Sequence, residues 1–267
     1  MNISPKDLAR STEDSYQQDK DNLITSGTDM EKIKPFISLK RFTVRVMSDD
    51  NRPKLVPASG QAIITYVIAG EAEYSDSTGK RGILKKDGWS WVIAGSGIWH
   101  SIEPITNDYV GVQVCIALSP ALENSSPQSA YINPEFTTRA DPTQVLIGWY
   151  GKNRSQFAIP ALTNYFVIHL NAWQRWTYEF PLSHQFAWAA VVSGQVQASA
   201  GKPLPGGVTV FSRPTEKIDF HALTDSILVL GSSLEFDHDV IIKNGSVHTS
   251  TEALQLGLKG ISTAGKK

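Results

Sequence analysis

The stretch Ile63–Ile102 constrains what this chain can fold into more than any other. Ile63–Ala69 is an unbroken apolar and β-branched run closed by Gly70, the pattern of a buried strand entering a turn. Glu71, Glu73 and Ser75 then alternate with Ala72 and Tyr74, as in a half-buried strand. Asp76-Ser77-Thr78-Gly79 supplies the next turn, because Asp bonds its own backbone and Gly accepts positive φ. Arg81–Leu84 and Trp89–Ile93 are further short strands, separated by Lys85-Lys86-Asp87-Gly88. Close-set strands with tight turns and no helical period predict a small β-barrel or sandwich.

At 267 residues the chain has material for one large domain or two ordinary ones. Hydrophobic residues at 41% and charged residues at 19% are globular proportions. The formal net charge of −1 offers nucleic acid and anionic membrane no global attraction, so neither is expected as a partner. No apolar run nears the roughly 20 residues that span a bilayer. Residues 1–21 lack the apolar segment of a secretory signal, so a cytoplasmic location is the expectation. Cys115 is the single cysteine; within the apolar strand Val110–Leu118 it reads as a small buried hydrophobe. No GxxxxGK[ST], GxSxG or CxxC pattern occurs, and Ser96, inside a Gly-Ser-Gly turn, has no evident base. Lys32, Lys34, Lys40, Arg41 and Arg45 read as a solvated face.

Residues 1–33 are polar and are read as an arm, either mobile or carrying a loosely docked helix. The first barrel is assigned to residues 34–123, an interdomain segment rich in Ser, Pro, Asn and Asp to 124–150, and a second barrel to 151–267. A faint repeat supports two barrels of one plan. Val67–Glu73 lines up with Val191–Gln197, Asp87–Ile93 with Gly206–Ser212, and His100 falls opposite His221. Thr249-Ser250-Thr251-Glu252 reads as a capping box before a short C-terminal helix. Leu254 and Leu258 would share one face of it, and Lys259–Lys267 would fray.

The runs ITYVIAGEAEYSDSTGKRG and GWSWVIAGSGIWHS, with YINPEF at Tyr131–Phe136 and DVIIKNGSVHTSTEAL near the C-terminus, resemble the pirin family of two-domain cupins. The resemblance covers most of the chain after about Lys34 and implies an all-β fold: two cupin barrels in tandem with a short C-terminal helix. It breaks where pirins bind metal. Family members carry two histidines in a segment reading His-Pro-His-Arg-Gly-Phe-Glu before the Thr-Tyr strand. Here Val56-Pro57-Ala58-Ser59-Gly60-Gln61-Ala62 stands there, so Val56 and Ala58 replace both histidines. The family's third histidine matches His100, and its glutamate, one strand period later, is replaced by Ile102. One of four ligands is retained, and a lone imidazole does not hold an ion that needs three or more protein ligands. No metal is therefore expected in this barrel.

Val56, Ala58 and Ile102 instead imply an apolar pocket beside His100, with Tyr66, Trp91 and Trp99 as candidate lining for a small aromatic or apolar ligand. Plain core packing is the competing reading for each aromatic. In the second barrel His184 and His221 form a weaker metal candidate, to which His169 or Glu179 would have to contribute, although the family keeps this barrel metal-free. Two functions are expected from the resemblance. The first is a non-enzymatic binding or regulatory protein for a small molecule or protein partner. The alternative is a quercetinase-type dioxygenase using iron or another divalent transition metal.

Overall fold

A computed structural model describes residues 19–22, 32–43, 55–159, 162–199, 203–204, 206–212 and 217–265. The first half contributes ten strands: β1 Asp19–Asn22, β2 Phe36–Thr43, β3 Val56–Ala58, β4 Gln61–Ala69, β5 Glu71–Asp76, β6 Arg81–Lys85, β7 Trp89–Ile93, β8 Ile98–Pro104, β9 Val110–Ala117 and β10 Gln128–Ile132. They form a six-stranded sheet, β1-β2-β9-β4-β7-β10, closed by a four-stranded one, β3-β8-β5-β6. Most of the arm lies outside the described residues. Asp19–Asn22, however, is neither free arm nor helix: it pairs antiparallel with β2 at the sheet edge.

The second half repeats this plan with β11 Thr138–Ala140, β12 Thr143–Ile147, β13 Trp149–Tyr150, β14 Asn153–Arg154, β15 Thr163–Leu170, β16 Arg175–Glu179, β17 Phe186–Ser193, β18 Val196–Ala198, β19 Val208–Ser212, β20 Lys217–Ala222 and β21 Ser226–Ser233. Six strands, β11-β12-β15-β21-β17-β19, face three, β16-β20-β18. The repeat seen in sequence is structural at its glycine turn, where Gly70 and Gly194 take positive φ, +70° and +81°, between matching strands. β7 on β4 corresponds to β19 on β17.

The two six-stranded sheets pack face to face, which explains the unbroken apolar run of β4. Ile63 and Val67 point into the first barrel, while Ala62, Ile64 and Tyr66 join Phe36, Trp89, Tyr165, Val167 and Trp188 in the core between barrels. A strand buried on both faces cannot alternate with polar residues. Phe36 meets Trp188 edge-on at 5.1 Å and Phe186 at 6.4 Å, an aromatic geometry that adds to plain burial.

The chain then returns to the first barrel. β22 Ile241–Lys243 and β23 Ser246–His248 form a hairpin, and Ser246 bridges Ser59 in parallel. Helix α1, Thr251–Ala264, follows. Its N-cap is Ser250, whose side chain accepts from Ala253 N, one residue later than the capping box expected at Thr249. Thr249 is drawn away because its N–H and hydroxyl both donate to Glu123. Ala253, Leu254, Gly257 and Ile261 are buried, whereas Leu258 is only half-buried; the helix stays ordered to Ala264 rather than fraying from Lys259. No described helix is long and apolar enough to cross a membrane.

Candidate functional site

β3 and β8 run antiparallel with Val56 opposite His100 and Ala58 opposite Ile98. Side chains alternate along a strand, so Ile98, His100 and Ile102 share one face of β8. Val56 and His100 are cross-strand partners, and Ile102 follows one period on, opposite Tyr74 of β5. Ala58 is 2% exposed and His100 7%, while Val56 stands at the rim with 47% of its surface in solvent.

A carboxylate faces His100 that sequence reasoning missed. Asp76 ends β5 directly across from His100. Its Oδ1 accepts from Thr78 N at 2.8 Å and Thr78 Oγ1 at 2.5 Å, and its Oδ2 from Ser129 Oγ at 2.7 Å and Tyr131 OH at 2.8 Å. Lys80 Nζ donates to the carbonyl of Ser129 beside it. Tyr131 also stacks on Tyr74, centroids 3.4 Å apart. Burial pushes the Asp76 carboxyl up, but the donors from Thr78, Ser129 and Tyr131 together hold it below its ordinary value. Burial likewise pushes His100 down to about 4 against the attraction of Asp76, so the ring is neutral at physiological pH.

Val56, Ala58, His100 and Ile102 thus come together, but the aromatic lining expected with them does not. Tyr66 occupies the opposite face of β4; its hydroxyl donates to Asp87 Oδ1 at 2.6 Å and lies 3.0 Å from His169 Nε2 of the second barrel. Burial, helped by Asp87, pushes the Tyr66 hydroxyl far up. Trp91, paired with Ile64, faces the same outer side, where its Nε1 donates to the carbonyl of Ala158. Trp99 sits between Ile98 and His100, so strand parity turns it away toward α1, where Nε1 donates to Ile261 O at 2.9 Å. Trp91 instead lines an external apolar groove of about 330 Å³ with Phe157, Leu118, Leu122 and Gln128.

In the second barrel His184 and His221 are not brought together. Val196 pairs with Ala222 as Ala72 pairs with Pro104, which puts His221 in the place of Glu103 and Ile218 in that of His100. Ile218, Phe220 and Ala222 take the inward face, and His221 lies outside against Trp173. His184 is fully buried elsewhere, with Nδ1 2.7 Å from Ser232 Oγ. His169 faces the barrel seam, and Glu179 is exposed. Among the described residues no group of three or more His, Cys, Asp or Glu is placed to hold a metal ion.

A further buried constellation joins distant parts of the chain. Ser59 Oγ is 2.9 Å from His248 Nε2, and His248 Nδ1 is 3.3 Å from Glu123 Oε2. The order mimics a hydrolytic triad, but Ser59 is 0% exposed beneath α1, so no acyl group reaches its oxygen in this state.

Two barrels of this build in tandem, each a small sheet closed on a larger one, define a bicupin. The Pirin family model matches residues 17–116. A pirin-like protein of Caulobacter vibrioides is 25% identical over 198 residues; the match covers 68% of this chain and 65% of that relative, a little under two thirds of its own length. Among solved structures, quercetin 2,3-dioxygenase from Acinetobacter baumannii superposes with a TM-score of 0.80 at 18% identity, covering 91% of this chain and 90% of that one. The bacterial pirin YhhW from Escherichia coli, in complex with nickel(II), gives 0.65 at 16% identity over 82% and 93%. The Pirin match thus lies over the first barrel, and the solved structures share the two-barrel fold of the whole chain.

Proposed function

We propose that this chain is a pirin-like bicupin whose first barrel does not assemble a metal centre, and that it acts by binding a small apolar or aromatic molecule or a protein partner. The observation that carries this reading is the donor set around His100. Three of the four positions that ligate metal in the family hold Val56, Ala58 and Ile102, which offer only hydrocarbon. The one nearby carboxylate, Asp76, has both oxygens committed to donors from Thr78, Ser129 and Tyr131. A divalent transition metal needs three or more ligands converging on one point, and these residues do not fit it. A ligand-binding role is supported by the groove at Trp91 and Phe157, whose volume of about 330 Å³ lies in the range of small-molecule sites.

The second reading, a metal-dependent dioxygenase, is favoured by the likeness in fold to the Acinetobacter enzyme. One experiment separates the two. Wild type and the variant Val56→His/Ala58→His/Ile102→Glu are incubated with Fe(II), Mn(II) or Ni(II), desalted, and assayed for retained metal and for aerobic quercetin consumption. The binding reading expects metal retention in the variant only. Stoichiometric metal with quercetin turnover in the wild type overturns it.

A further inference from the structure

We propose that Ser59, His248 and Glu123 form a latch that holds α1 on the first barrel at neutral pH and releases it on acidification. The three side chains come from three separated places: the turn after β3, the segment after β9, and the end of β23. Ser59 is 0%, His248 1% and Glu123 2% exposed. Glu123 also accepts from the N–H and hydroxyl of Thr249, and the next residue, Ser250, caps α1. The helix start is thereby tied to Glu123, while its middle rests on the imidazole: a Cβ at Gly257 would fall within contact distance of both His248 Nε2 and Ser59 Oγ. Any rearrangement at His248 is felt directly by the helix.

The latch requires one tautomer. With its proton on Nδ1, a neutral His248 sets that nitrogen 3.3 Å from Glu123 Oε2 and leaves Nε2 to accept from the Ser59 hydroxyl. A second proton, on Nε2, forces the Ser59 hydroxyl to turn its hydrogen elsewhere inside a sealed site. Among the described residues Glu123 is the charged group set against the ring. Around it the turn after β3 presents Ser59, β23 presents Ser246, and β4 presents Gln61, whose amide donates to the carbonyl of Gly245. On α1 itself Glu252 and Lys259 are exposed and Gly257 makes the contact. Burial outweighs the pull of Glu123 and holds the imidazole below its ordinary 6.5.

The released state titrates at the ordinary value and the docked state only lower. The docked state is thus fully favoured above pH 6.5 and loses ground as pH falls below it. Release uncovers the Ala94–Trp99 turn, where Gly97 lies against Ile261 and the Trp99 indole bonds the helix. That turn leads into β8 and His100, so the latch covers the end of the first barrel.

Hydrogen–deuterium exchange on the full chain at about pH 7.5 and about pH 5, corrected for the intrinsic pH dependence of exchange, tests this. In wild type the amides of α1 exchange about tenfold or more faster at the acid pH while β4 and β15 stay protected. In His248→Gln, which cannot charge, the acid acceleration disappears. Should His248→Gln leave α1 undocked at both pH values, Glu123→Gln decides: with the counter-charge gone, release moves to higher pH. Equal α1 exchange at both pH values in wild type overturns the latch. So does undiminished acid release in His248→Gln, loss of barrel protection in step with α1, or an unmoved midpoint in Glu123→Gln.

Discussion

Asp76 gathers backbone and side-chain donors from its own turn and from β10, and it lies across from His100 in the first barrel's wall. Asp76→Ala strips these buried donors of their acceptor and is expected to lower the free energy of unfolding by about 1–3 kcal/mol in urea titrations at pH 7. Because the folded carboxyl is held below its ordinary 3.8, its contribution is complete above that pH and fades as pH falls below it. The gap between wild type and Asp76→Ala should therefore narrow in strong acid. For His100, a folded value of about 4 means the ring stays neutral from pH 8 to 5, which an NMR titration of its ring protons reads directly; titration near 6.5 would refute its burial. Much of this was legible in sequence and part was misjudged. The His100–Ile102 spacing was readable from strand parity, but the reading of Trp99 as pocket lining missed the same rule, by which its odd position turns it to the far face. Asp76 was not legible: its partners Ser129 and Tyr131 stand 53 and 55 residues away, and only the order of strands brings them near.

At the scale of single elements, α1 shows how context moves a local signal. Capping chemistry announced the helix, but a carboxylate 126 residues distant claims Thr249 and shifts the cap to Ser250. Ser250→Ala should cost about 1 kcal/mol of stability. Gly257→Ala poses a sharper test, since helix propensity alone predicts a gain of about 1 kcal/mol. The clash with His248 and Ser59 reverses the sign, and a fall in Tm with increased α1 exchange is expected. A rise in Tm would show that the helix sits farther from the barrel than described.

Across the whole molecule, the two barrels are joined by a shared core rather than by a tether. The unbroken apolar runs of β4 and β15 were visible as buried strands. That their outer faces meet each other was not, because periodicity does not say what covers a second buried face. Trp188, fully buried against Phe36 and Tyr165, should lose about 3–5 kcal/mol on substitution by Ala, and unfolding followed at both barrels should shift together. The return of the C-terminal tail to the first barrel was equally hidden, depending as it does on Ser59, Glu123 and His248 meeting across the chain. The measurement that bears most directly on the account is elemental analysis of protein purified without chelator from metal-replete medium. The account expects iron, manganese, nickel and copper all far below one atom per chain. Near-stoichiometric metal that is lost in His100→Ala would contradict it.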